Sequence, residues 1–127
     1  MIQLNDSKPI YLQIAEWLEN EMIGGRFNVH DKVHSQYQLA DLFNINPATA
    51  AKGLNVLADQ GILYKKRGLG MFVAEGAKER VISKRKNETL RGLVQELVWE
   101  ARRLHVSESD LIDMLKEVNT HLGSDGK

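Results

Sequence analysis

Ser35-Gln36-Tyr37-Gln38-Leu39-Ala40-Asp41-Leu42-Phe43-Asn44-Ile45-Asn46-Pro47-Ala48-Thr49-Ala50-Ala51-Lys52-Gly53-Leu54 is the stretch on which the fold turns. Ser35 and Gln38 form a Ser-x-x-Gln capping box, in which each side chain satisfies a backbone N–H at a helix start. Leu39, Ala40, Leu42 and Phe43 follow at helical spacing, so one short helix of two turns is predicted. Asn44-Ile45-Asn46 breaks it. Asn46-Pro47 starts another, because Asn is a strong N-cap and Pro is favoured as the first helical residue. Ala50, Leu54, Leu57 and Ala58 supply its buried stripe, and Gly61 ends it. Two short helices across a tight turn make a helix-turn-helix.

Upstream, Pro9 opens a helix over 9 to 24, with Tyr11, Ile14, Ala15, Leu18 and Met22 on one face and Gly24-Gly25 at its end. Trp17 lies off that stripe, beside Glu16 and Glu21. It is either a half-covered surface aromatic or a contact for a later segment or a partner chain. Downstream, Ile62-Leu63-Tyr64-Lys65-Lys66 and Met71-Phe72-Val73-Ala74 flank Arg67-Gly68-Leu69-Gly70, which reads as a β-hairpin. A hairpin directly after a helix-turn-helix is a wing. The fold class is therefore mainly α with a small β-hairpin.

Gly76-Ala77 marks a change in composition, and the expected division is a winged helix-turn-helix domain over 1–76 and a helical segment over 77–127. Residues 78–86 hold five basic residues and the single acid Glu79, as expected of a solvated linker face that could touch phosphates. Leu90, Leu93, Val94, Leu97, Val98, Ala101 and Leu104 then give a wide apolar face over 87–105. Ser107-Glu108-Ser109-Asp110 caps a second helix carrying Leu111, Ile112, Leu115, Val118 and Leu122. An αα-hairpin this small buries little alone. Its apolar faces are expected to pack on the first domain and on a second copy of the chain, as a homodimer.

The chain has 127 residues, 43% hydrophobic and 27% charged, which suits one small domain with an appendage and excludes disorder and collagen-like repeats. No cysteine is present, so disulfide frameworks, thiolate catalysis and Cys-ligated zinc are excluded. His30, His34, His105 and His121 lack the spacing of a metal site, and neither a metal nor another cofactor is expected. Nothing resembles a nucleophile elbow, a phosphate loop or paired catalytic carboxylates, so an enzyme is not expected. The N-terminus lacks the features of a signal peptide, and no apolar run approaches the ~20 residues of a membrane span. A soluble, cytoplasmic protein that does not engage membranes is the expectation.

Several segments together carry a family resemblance. Pro9-Ile10-Tyr11-Leu12-Gln13-Ile14-Ala15, the Gly25-Arg26-Phe27 exit, Ser35-x-x-Gln38-Leu39-Ala40, and Gly61-Ile62-Leu63-Tyr64 through Lys65-Lys66-Arg67-Gly68-Leu69-Gly70 to Met71-Phe72-Val73 resemble the GntR family of bacterial transcriptional regulators, in order and in register. The Asn46-Pro47 start and the short two-helix C-terminal segment resemble its YtrA subfamily. The resemblance implies a DNA-binding homodimer, with the C-terminal segment used mainly for dimerisation. The expected role is that of a repressor.

The residues point the same way. Outside the buried stripe, the start of the recognition helix presents Pro47, Ala48, Thr49, Ala51 and Lys52 beside the capping Asn46. Thr49 can hydrogen-bond a base or phosphate, Lys52 can reach a phosphate or guanine, and the alanines can touch thymine methyls. Ser35, flanked by Gln36 and Tyr37, is placed for phosphate contact at a helix N-terminus. Lys65, Lys66 and Arg67 cluster positive charge on the wing, and Gly68 and Gly70 let its tip approach closely. The chain departs from the family pattern by placing His34 where a proline is common. Tyr37, Pro47 and Ala51 stand where arginines are frequent, and Leu69 where the wing tip is commonly basic. That pattern predicts weaker binding, or binding that depends more on shape and methyl contacts, with Tyr37 donating to a phosphate and Leu69 making an apolar minor-groove contact.

Seventeen positive charges balance seventeen negative ones, and neither half is basic. Charge is instead polarised locally: Glu16, Glu19 and Glu21 sit on the first helix, while 61–74 holds three cations and no acid. Low non-specific DNA affinity follows from that balance. A winged-helix module that docks another protein without touching DNA is the alternative. No sequence feature names an operator or a small-molecule effector.

Overall fold

A computed structural model describes residues 4–125, which divide into two compact units after Lys84. The first unit contains α1 (Ile10–Ile23), α2 (Gln36–Phe43), α3 (Pro47–Asp59), β1 (Leu63–Lys66), β2 (Gly70–Val73) and α4 (Ala77–Lys84). The second contains a π-helical segment (Arg85–Leu90), α5 (Arg91–Arg103) and α6 (Glu108–Asp125). The chain is thus mainly helical, with one small antiparallel hairpin in winged-helix order.

The caps form as the sequence predicts. Ser35 Oγ accepts from the Gln38 N–H at 3.1 Å, and Gln38 Oε1 accepts from the Ser35 N–H at 2.8 Å. Asn46 Oδ1 accepts from the Ala48 N–H at 2.7 Å, with Pro47 leading α3. Four helices stop alike, with one residue in the left-handed region: Gly25, Asn44, Gly61 and His105. The next N–H reaches back across the turn in each case, from Arg26 to the Glu21 carbonyl, Ile45 to Ala40, Ile62 to Leu57 and Val106 to Ala101. His105 is therefore a helix stop built without glycine.

The core of the first unit gathers Ile14, Leu18 and Met22 of α1, Leu39 of α2, Ala50, Leu54 and Leu57 of α3, and Ile62, Leu63 and Val73 of the wing. Gly53 joins the predicted α3 stripe and Ala58 is only half-buried. A Cβ at Gly53 would stand 2.8 Å from the Tyr11 carbonyl oxygen, so the glycine sets how closely α1 and α3 approach. Trp17 is half-buried, edge-on to His34 and Phe43 at 5.4 and 5.2 Å between ring centroids. It packs on later residues of its own unit.

The hairpin pairs Leu63 with Val73 and Lys66 with Gly70. A third short segment extends it. Lys32 bridges to Phe72, the Val33 N–H donates to the Met71 carbonyl at 3.0 Å, and the Val73 N–H donates to the Asp31 carbonyl at 2.9 Å. The connector before α2 is thereby tied to the wing.

The unit boundary falls at Lys84, eight residues beyond the expected end at 76. Residues 77–84 are helical, and Ala77 and Val81 are fully buried in the first unit's core. The run expected to be a solvated linker therefore spends two of its cations internally. Arg80 donates to the Gly61 carbonyl at 2.7 Å, and Lys84 holds the buried Glu19 carboxylate and the Gln60 side-chain oxygen.

In the second unit α5 begins at Arg91, later than the expected 87, because the π-helical segment precedes it with no buried residue to anchor it. Ser107 Oγ accepts from the Asp110 N–H at 3.1 Å at the start of α6. Among its described residues only Ala101 is buried. Leu90, Leu93, Val94, Leu97, Leu104, Ile112, Leu115 and Val118 are exposed in the single chain, with Val98 and Leu111 half-buried.

Candidate nucleic-acid interface

Three elements of the first unit surround a groove of about 350 Å³. The start of α2 contributes Ser35, Gln36 and Tyr37. One side of α3 contributes Ala51, Leu54 and Asn55, and the wing contributes Lys65, Leu69, Gly70 and Met71. The connector adds Lys32, Val33 and His34, and no carboxylate lines the groove. Tyr37 is 66% exposed and Leu69 59% exposed, so two large side chains stand uncovered at its rim.

Local chemistry explains each placement. The capping box occupies the Ser35 hydroxyl, but the N–H groups of Gln36 and Tyr37 have no intrahelical acceptor at a helix start. Partial positive charge at that end favours an anion. α3, 13 residues long, runs for about 20 Å. Ala51 and Asn55, one turn apart, face the groove together. Gly68 at φ +78° allows the turn in which the Leu69 N–H donates to the Lys66 carbonyl at 2.9 Å.

The structure brings together part of the sequence-predicted set: Ser35, Gln36, Tyr37, Lys65, Leu69 and Gly70. Asn46, Pro47, Ala48 and Thr49 form the first turn of α3, outside the groove lining, with the Asn46 side chain engaged as the cap. Lys52 lies over the Tyr11 ring, its Nζ 4.2 Å from the centroid, so it is directed along α1. Lys66 lies over Phe72 at 4.8 Å, on the face of the hairpin opposite Lys65. Arg67 and Gly68 form the turn. Sequence reasoning missed Lys32 and Asn55. Asn55 was legible as the residue four positions after Ala51, whereas Lys32 becomes visible only once the connector pairs with β2.

His34 fills the place where a proline is common. Its ring packs edge-on to Trp17 at 5.4 Å and to Phe27 at 5.7 Å, and its enclosed Nδ1 makes no protein hydrogen bond. It holds α2 by aromatic packing. Among the described residues no group of acids and histidines is arranged to hold a metal. No helix among them is long and apolar enough to cross a membrane.

A family model described as bacterial regulatory proteins, gntR family, matches residues 10–73, half of the chain. The chain belongs to the GntR family. The matched span runs from the first residue of α1 to the last of the wing, so it takes in the groove whole. The transcriptional repressor YtrA of Bacillus subtilis is 29% identical over 121 residues, spanning 94% of this chain and 92% of that protein. A GntR family transcriptional regulator from Listeria monocytogenes has a solved structure with 28% identity and a TM-score of 0.73, covering 90% of this chain and 98% of that one. S. agalactiae BusR, solved in complex with its busAB promoter DNA, gives 28% identity and a TM-score of 0.57 over 91% of this chain and 57% of that one. Fold and relatives are those of GntR-type transcriptional regulators and not of enzymes.

Proposed function

We propose that this GntR-family chain is a sequence-specific repressor that binds a pseudo-palindromic operator as a symmetric homodimer. The observation that carries the reading is the groove itself. A recognition helix, an outward-facing helix N-terminus and a lysine-bearing wing converge on one carboxylate-free concavity. In that reading the first two turns of α3 enter a major groove, with Ala48 and Ala51 against thymine methyls and Thr49 on a base or phosphate. Ser35, Gln36 and Tyr37 hold a phosphate on one side. Lys65, Arg67 and Leu69 engage the backbone and minor groove on the other. Lys52 and Lys66 reach DNA only by leaving their aromatic rings.

Dimerisation is carried by α5 and α6. A contiguous apolar surface of this extent on a monomer marks an interaction site. The residues assigned to it are Leu90, Leu93, Val94, Leu97, Val98, Leu104, Leu111, Ile112, Leu115 and Val118, whereas Ala101 is already buried in the single chain. Two-fold symmetry of the protein then appears in the DNA as an inverted repeat. The Bacillus subtilis repressor that matches over 94% of the chain supports repression rather than activation.

Selection of bound duplexes from a random pool, with gel filtration alongside, tests the reading. An enriched inverted repeat and a dimeric elution volume are expected. A monomer that enriches no repeat would overturn it.

A further inference from the structure

We propose that Lys32, which lies outside both the helix-turn-helix and the hairpin, is a phosphate contact of the DNA complex and is positioned by Gly70. The inference rests on the DNA-binding reading above and adds a residue to it.

Its backbone is held by the wing. The bridge to Phe72 and the flanking hydrogen bonds of Asp31 and Val33 to Val73 and Met71 make the connector a third edge of the sheet. Its side chain is directed by a missing one. A Cβ at Gly70 would lie 2.9 Å from Lys32 Cε, 3.7 Å from Nζ and 3.9 Å from Cδ. The end of the lysine therefore lies along the bare face of Gly70, and any larger residue there would displace it. Gly70 is needed twice, for its φ of +118° and for this passage.

The route delivers the ammonium to the groove that Lys65 and the start of α2 also line. No carboxylate lines that groove, and Lys32 makes no ion pair among the described residues. Two cations among the lining residues, with no acid beside them, favour an anion in that groove. A lysine is a flexible point charge, and one carried on the connector beside the wing, not on the recognition helix, meets the DNA backbone, so its partner is a phosphate oxygen. Lys32 then adds affinity without sequence preference.

The experiment compares the wild-type chain with Lys32→Gln, Lys32→Arg and, as a control on the exposed side of α6, Lys116→Gln. Each is titrated by fluorescence anisotropy at several salt concentrations into two duplexes: the selected inverted repeat and a scrambled duplex of equal length. Lys32→Gln should weaken both by the same factor and flatten the dependence of log K on log salt by about 0.9 per protomer, the value for one phosphate contact. Lys32→Arg should keep the wild-type slope, as should Lys116→Gln, with all four chains melting alike. An unchanged slope for Lys32→Gln, where the wild type shows a steep one, overturns this proposal and leaves the DNA-binding reading standing. A loss confined to the selected repeat also overturns it, since it would make Lys32 a base reader. A wild-type chain that binds neither duplex removes both readings.

Discussion

The two units handle apolar side chains in opposite ways. In the first, Ile14, Leu18, Leu39, Leu57 and Val81 are fully enclosed, and even a carboxylate, Glu19, is buried against a lysine. In the second, helices of comparable length leave nearly every large apolar residue in solvent, Leu115 at 61% exposure and Leu97 at 45%. One unit completes its core within the chain. The other leaves most of its large apolar side chains uncovered in the single chain.

Substituting matched leucines breaks that comparison most directly. Leu57→Ala should cost about 3 kcal/mol, through lost transfer energy and the cavity left behind. Leu115→Ala should change the stability of the dilute monomer by no more than about 0.5 kcal/mol, because the site is already solvated. The same Leu115 change should raise the dimer dissociation constant measured by sedimentation. Trp17 and Trp99 stand one in each unit, so urea unfolding followed in single-tryptophan variants assigns each change to its unit. Equal costs at both leucines would mean that the hairpin's apolar face is covered within the chain.

The latch between α4 and α1 within the first unit gives a smaller effect. Lys84→Met removes a cation from the buried Glu19 and should cost about 2 kcal/mol in the Trp17-reported transition, with the Trp99-reported one unmoved. Smaller again is the capping box. Ser35→Ala should cost about 1 kcal/mol, also confined to the first unit, and Ser35→Asp should retain most of the stability. At the small end, Tyr37→Phe and Leu69→Ala should leave folding unchanged and each weaken operator binding. If binding is unaffected by both, the rim of the groove carries none of the affinity assigned to it.

Much of the winged helix was legible because its signals are local. A serine and a glutamine three apart, or an asparagine before a proline, name a helix start from neighbouring residues alone. α4 was not legible, because Ala77 and Val81 are its only buried residues beside four charged ones, and two buried residues in eight make no periodic pattern. Glu19 reads as part of an acidic surface until Lys84, 65 residues later, is placed beside it. The wing likewise reads as three equivalent cations, yet strand alternation sends Lys65 into the groove and Lys66 over Phe72.

Sequence alone determined the order of elements from α1 to β2, the caps of α2, α3 and α6, and the stops at Gly25, Asn44 and Gly61, since each depends on residues within a few positions of one another. The family follows from those local signals taken in register over residues 10–73. Tertiary structure alone decided where the long cations go: Lys32 across Gly70, Lys52 over Tyr11, Arg80 to the Gly61 carbonyl and Lys84 to Glu19. A lysine or arginine side chain has many rotamers of similar energy, and a ring, a carbonyl or a carboxylate brought within its reach by folding selects among them. Those partners lie far away in the sequence, so the charge that a linear reading assigns to an interface is divided by the fold between holding the domain together and facing DNA.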